Sequence, residues 1–179
     1  MRKFKAYAIP FVGLKEGQHR FDYKIDNAFF DLFDFQEFNS SDIKVGIEFI
    51  KKANMLELEF YISGHVNINC DVTLEPYDQE VDNQLSLVVK FGDAFNDDNE
   101  ELLILPHGEY ELEVQQYIYE GVVLGLPAKR IHPGVEDGSI QSEILDKLKE
   151  LKPKSVSEEE KNDEDIDPRW DKLKELLNE

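Results

Sequence analysis

Apolar and polar residues alternate most regularly between Asp42 and Phe60. Ile43, Val45, Ile47 and Phe49 are interleaved with Lys44, Gly46 and Glu48, and Leu56, Leu58 and Phe60 with Glu57 and Glu59. A period of two puts one set on a buried face and the other in solvent, so two strands are predicted. Lys51-Lys52-Ala53-Asn54 separates them as a hairpin loop would. Ser63-Gly64 predicts a bulge or bend. Beyond it Val66, Ile68 and Cys70 continue the apolar face, with Val72 and Leu74 in phase. Pro76-Tyr77-Asp78 predicts a break, and Leu85, Leu87 and Val89 resume on another strand.

Upstream, Phe4, Ala6 and Ala8 through Val12 predict a first strand, which Pro10 makes an edge strand or interrupts. Phe21, Tyr23 and Ile25 predict a second. Asp26 or Asn27 is placed to cap a short helix through Phe33, because an Asx side chain accepts from the unpaired N–H groups of a first turn. Downstream, Gly92–Glu101 reads as a polar, acidic loop, Leu102–Leu105 as a short apolar piece and Pro106-His107-Gly108 as a turn. Tyr110, Leu112 and Val114 alternate once more.

At Val114 the period changes. Val114, Tyr117, Ile118, Gly121, Val122 and Gly125 fall at helical spacing, so the main helix is predicted over Val114–Leu126. Gly121 and Gly125 lie on its apolar face one turn apart. A glycine costs about 1 kcal/mol against alanine in a helix interior, so the pair predicts close approach of another part of the chain. Pro127 stops the helix, because the residue before proline is pushed out of the α region. Lys129, Arg130 and His132 follow, closed by Pro133. Ser142 then precedes a helix carrying Ile144, Leu145 and Leu148.

Strand follows strand without intervening helices, the pattern of an antiparallel meander. The predicted fold class is α+β: an antiparallel sheet of about six strands, open or curled into a partial barrel, packed against one main helix, with a helical C-terminal part. Residues 1–152 form that domain. Residues 153–167 are charged and nearly free of apolar side chains, an acidic linker by composition. Residues 168–179 read as a short amphipathic helix with Asp167 at its cap, Pro168 at its first position and Trp170, Leu173, Leu176 and Leu177 on one face. So short a helix is marginal alone, so it docks on its own domain or on another chain.

Composition changes the functional picture more than the fold. The 179 residues carry a formal net charge of -19. That opposes binding to phosphate backbones, where lysine and arginine supply the affinity, and favours basic proteins as partners. The one cysteine, Cys70, leaves no intramolecular disulfide and fits a reducing compartment. No run approaches the roughly 20 apolar residues of a membrane span, and Ala6–Leu14 is too short and interrupted for a signal segment. The expected location is the cytoplasm, away from membrane.

Candidate chemistry is sparse. Lys129, Arg130 and His132 either complement the negative end of the helix or are displayed for a partner. Cys70, alone on an apolar face, reads as a small buried hydrophobe. His65, His107 and His132 match no ligand spacing. Asp97, Asp98, Glu100 and Glu101 lack the ligand pattern of a calcium loop. Glu158-Glu159-Glu160 and Asp163-Glu164-Asp165 read as a solvating spacer or as phosphate mimics for a basic protein. Trp170 and Leu173 anchor the last helix either in cis or in a partner's groove. No nucleophile, P-loop or zinc-protease motif is present, so no catalytic residue, metal site or cofactor is expected.

Four segments together carry a resemblance: Phe21-Asp22-Tyr23; Cys70-Asp71-Val72-Thr73-Leu74-Glu75-Pro76; Glu120 and Leu124-Gly125-Leu126-Pro127 leading to His132; and Asp167-Pro168-Arg169-Trp170-Asp171-Lys172-Leu173. In their order and spacing the chain resembles the YceD family, the large ribosomal RNA subunit accumulation proteins, over nearly its full length. Many members carry C-x-x-C where this chain has Cys70 and Thr73. That pair with a later His or Cys would suit zinc, but threonine supplies no thiolate, so no metal is expected here. The resemblance implies a non-enzymatic role in 23S rRNA accumulation and large-subunit assembly. The acidic charge directs that expectation to a basic ribosomal protein or an rRNA-processing protein, with direct 23S rRNA contact as the other route. The alternatives are a Mg²⁺-dependent enzyme acting on precursor rRNA and a structural subunit of a stable complex.

Overall fold

The computed structural model describes residues 5–99, 101–140 and 142–151. The chain divides after Ser142 into two compact units. The acidic linker predicted over 153–167 and the helix predicted over 168–179, with Trp170 and Leu173, lie outside the described residues.

The first unit is built on an open six-stranded sheet. Its strands are β2 (Gly17–Ile25), β3 (Ser40–Lys51), β4 (Met55–Asn69), β5 (Pro76–Gly92), β6 (Asn96–Asn99) and β7 (Leu102–Pro106), in the order β2-β3-β4-β5-β7-β6. β2 and β6 are its edges, so it is not a closed barrel. The alternating residues behave as their period requires. Ile43, Val45, Ile47 and Phe49 on β3 and Leu56, Leu58, Phe60 and Ile62 on β4 are buried on one face. The loop between these strands is held by Lys52 N–H donating to the Met55 carbonyl at 3.0 Å.

Several expectations are corrected. Ser63-Gly64 is no bulge: β4 pairs residue for residue with β3 and with β5 straight through it. Gly64 instead has φ +151°, and a Cβ there would strike the Asp42 carbonyl and lie 2.8 Å from Ile43 Cα. The backbones cross too closely for any side chain. β4 ends at Asn69, so Val72 and Leu74 are not on its face. They lie in the loop to β5, where Leu74 is 71% exposed with φ +60°. Pro76 does not break the sheet but opens β5, where it is the first residue and no ladder donor is lost.

The sheet is also not wholly antiparallel, because β7 runs parallel to β5. The acidic stretch read as a loop contains β6, whose Asn96-Asp97-Asp98-Asn99 are all exposed. β7 carries Leu103 and Leu105, both buried. The apolar strand takes the inner position beside β5 and the acidic one the solvated edge, which suits an unpaired strand rim. β1 (Ala8–Pro10) stays outside this sheet and pairs with β8 (Glu111–Glu113).

α1 (Asn27–Phe30) is capped by the Asp26 side chain accepting from Ala28 N–H and runs on as one 3₁₀ turn to Phe33. It starts an aromatic cluster in which Phe30 packs edge-on against Phe38 at 4.8 Å and Phe33 stacks on Tyr119 at 4.3 Å. Tyr119 belongs to α2 (Gln115–Leu124), the main helix, which stops short of Pro127. The other side of α2 rests on β4 and β5. A Cβ on Gly121 would collide with Ile62 Cδ1 and lie 2.6 Å from Leu85 Cδ2. One on Gly125 would lie 3.0 Å from Asn83 Cβ. The helical glycines mark a close approach, as their positions imply. A short α3 (Pro133–Glu136) follows, its N–H at Gly134 accepted by His132 Nδ1 at 2.9 Å. The second unit contains α4 (Glu143–Leu151), with Ile144, Leu148 and Leu151 exposed. Among the described residues, no helix is long and apolar enough to cross a membrane.

Candidate functional site

The turn after α2 is held against the loop that joins β4 to β5. Asp71 N–H donates to the Arg130 carbonyl at 2.8 Å, and Arg130 N–H donates to Asp71 Oδ2 at 2.9 Å. The Arg130 guanidinium meets Glu37 at 2.5 Å. His132 N–H points to Cys70 Sγ at 3.3 Å, and its ring lies 5.3 Å from that of Tyr77. Of the three residues predicted at this turn, Lys129 is exposed, while Arg130 and His132 are half-buried. Arg130 and His132 hold the turn to the domain.

Cys70 is buried at the centre of this arrangement. Its N–H and C=O close the loop on Glu75 and Leu74, each at 2.9 Å. Its sulfur accepts from Val72 N–H at 3.4 Å as well as from His132. Burial pushes the thiol up, but the donors of His132, Thr73 and Val72 outweigh it and hold it below its ordinary value. The structure thus brings Cys70, Thr73 and His132 together, the positions a C-x-x-C pair and a later ligand would occupy. The donor set does not fit zinc. It offers one thiol and a hydroxyl, and the imidazole Nδ1 is already engaged by Gly134 N–H. Hydrogen bonds to one sulfur link the two segments instead.

A second feature lies at the start of α2. A cleft of about 360 Å³ opens between the start of α2, β8 and the β6–β7 pair. Leu103, Leu105 and Leu112 supply its apolar floor, and Asp97, Glu109, Glu111 and Glu120 its rim. No lysine or arginine among the described residues lines it. Tyr117 forms one wall, and its phenol is pushed up to about 12 by burial and then by the Glu120 and Asp97 carboxylates. Gln115, the first residue of α2, is 4% exposed, and its Oε1 has no hydrogen-bond partner among the described residues. A buried amide oxygen in that state costs about 1–3 kcal/mol.

Sequence reasoning missed this cleft. Glu109 and Glu111 were readable as solvated carboxylates whose only signal was the alternation with Tyr110 and Leu112, and Glu120 stood out only through the family resemblance. Gln115 carried no signal, since nothing in its neighbours marks it as buried.

No curated protein and no solved structure matches the chain. Residues 58–177 match the model of a family described as large ribosomal RNA subunit accumulation protein YceD. The match starts in β4 and takes in the Cys70 loop, β5, α2 and the turn tied to that loop. It spans more than half of the 179 residues, and the chain therefore belongs to the YceD family.

Proposed function

We propose that this protein serves large-subunit rRNA accumulation as a non-enzymatic factor that holds a basic protein partner, a ribosomal protein or an rRNA-processing protein, in the cytoplasm. Family membership supplies the process. The observation that carries the mechanism is the cleft, where carboxylates and an apolar floor meet with no described lysine or arginine in the lining. The net charge of -19 supports the same direction, since it repels phosphate and attracts basic surfaces. The turn supports it too. Arg130 is engaged by Glu37, which leaves Lys129 as the exposed cation there and makes a weak footprint for nucleic acid.

A tagged copy recovered from a lysate of its host, with and without RNase, tests this. A basic ribosomal or processing protein that stays bound after RNase is the expected result. Loss of every ribosomal component on RNase would move the contact to 23S rRNA, with Lys129 the first residue to replace. A Mg²⁺-dependent enzyme acting on precursor rRNA is the second reading, favoured by the convergence of Asp97, Glu109, Glu111 and Glu120 on one cleft. Cleavage of precursor rRNA by the purified protein with Mg²⁺ would establish it.

A further inference from the structure

We propose that the chain pairs with a second copy of itself along the open edge of β2, the two β2 strands running antiparallel about a two-fold axis at Phe21. This surface is distinct from the acidic cleft and from the turn after α2.

The sheet has two edges, and they are not alike. β6 is four residues long, wholly exposed, and carries Asp97 and Asp98 with no cation. Two copies of it repel, which guards a strand rim against pairing. β2 is nine residues long, has no proline, and pairs with β3 residue for residue without a bulge. Among the described residues, its outer N–H and C=O groups have no partner. An edge that is long, regular and unpaired is a template for another strand. Its charge differs too. Arg20 and Lys24 outnumber Asp22, so β2 alone among the strands is net positive, in a chain of charge -19. Its other face presents His19, Phe21 and Tyr23, each only half-buried.

These features select the occupant. A basic strand would meet Arg20 and Lys24, whereas β2 is complementary to itself. Residues directly opposite in an antiparallel ladder share a face, so the two-fold axis passes through one residue. Phe21 is the middle of β2, and centring there pairs the strand over its whole length. That register sets Arg20 opposite Asp22 of the second copy, and Asp22 opposite its Arg20. Centring one residue to either side, on Arg20 or on Asp22, sets like charges face to face, which destabilises a ladder. Arg20 Nε and Asp22 Oδ1 already lie 3.0 Å apart within one strand, with side chains 67% and 66% exposed. Two copies therefore join two such pairs into one cluster of alternating charge. The guanidinium rests over Gly46 of β3 and reaches the second copy by side-chain rotation alone. On the other face Phe21 meets itself and Tyr23 meets His19. This aromatic row leans on Phe49, and continuing it across the axis covers what one copy leaves half-exposed.

Sedimentation velocity of the full-length chain tests the pairing at about 0.15 M ionic strength, where charge repulsion is screened beyond about 8 Å. The expected result is a reversible shift from one copy to two as concentration rises from about 1 μM to about 200 μM. Arg20→Asp and Asp22→Arg, both at solvated positions, each set like charges opposite one another. Each is expected to weaken self-association at least about tenfold, with a melting temperature within about 2 °C of the unaltered chain. Mixing the two variants restores pairing, because every introduced charge then faces its opposite. That rescue separates edge pairing from any effect on folding. A single-copy species at every concentration overturns the proposal and leaves the β2 edge to a strand of another protein. Self-association that either variant retains undiminished, or that the mixture fails to restore, overturns the assignment to β2.

Discussion

Asp71 and Arg130 hold each other twice, the Asp71 N–H on the Arg130 carbonyl and the Asp71 carboxylate on the Arg130 N–H. They stand 59 residues apart, so this pair and the Cys70 sulfur on His132 N–H fix where the chain goes after α2. Asp71→Ala is expected to lower stability by about 0.5–1.5 kcal/mol, the net value of an ordinary hydrogen bond. Amide hydrogen exchange at Arg130 and His132 should rise with it.

Cys70→Ala is expected to cost more, about 1–3 kcal/mol, because it removes the acceptor of two N–H groups beside a buried sulfur. Cys70→Ser keeps an acceptor and should cost less. Urea unfolding of the two variants checks the order. Arg130→Ala should change stability by about 1 kcal/mol or less, since its ion pair with Glu37 is partly solvated.

Gly121→Ala should destabilise although alanine favours a helix by about 1 kcal/mol. The added methyl meets Ile62 and Leu85 together, and overpacking of this kind costs about 1–3 kcal/mol. Ile62→Val removes the Cδ1 in its way, so a double-mutant cycle should show favourable coupling between the two changes. Gly64→Ala has no such rescue. Its methyl meets the backbone of Asp42 and Ile43 at a φ that side chains rarely adopt, and soluble yield as well as denaturant midpoint should fall.

Tyr117 gives a pH dependence. Folded, it keeps its proton up to about 12, whereas an unfolded tyrosine releases it near pH 10. The folded state therefore binds the extra proton between these values. That contribution to stability is full below about pH 10 and is lost as pH rises through about 12. In an absorbance titration of phenolate, Tyr117→Phe should remove the most alkaline step.

Legibility followed burial. Strands β2 to β4 were readable because one buried face and one wet face leave a period of two. The first half of β5 was not, because polar Gln79 and Asn83 occupy inward positions of the alternation. Asn83 is there for a reason that only the fold reveals: its amide donates to the Gly121 carbonyl at 2.8 Å. The parallel return of β7 depends on which neighbour buries Leu103 and Leu105, which no local pattern encodes. At the turn the cations were visible, but their partners were not, since Glu37 lies 93 residues from Arg130. The cleft was hidden for the same reason, being assembled from β6, β7, β8 and α2.

The pairing of β1 with β8 sets a clock on synthesis. Ala8–Pro10 emerges early, yet its partner Glu111–Glu113 is made about 100 residues later. At roughly 5–20 residues per second, the first strand waits on the order of 5–20 s with its ladder groups open. The β2–β5 meander can pair in that interval without it. Closure of β1 on β8 is then a late event, and it coincides with the arrival of Gln115 and the start of α2. The nascent chain thus completes the acidic cleft beside α2 only after strands β2 to β5 have been made.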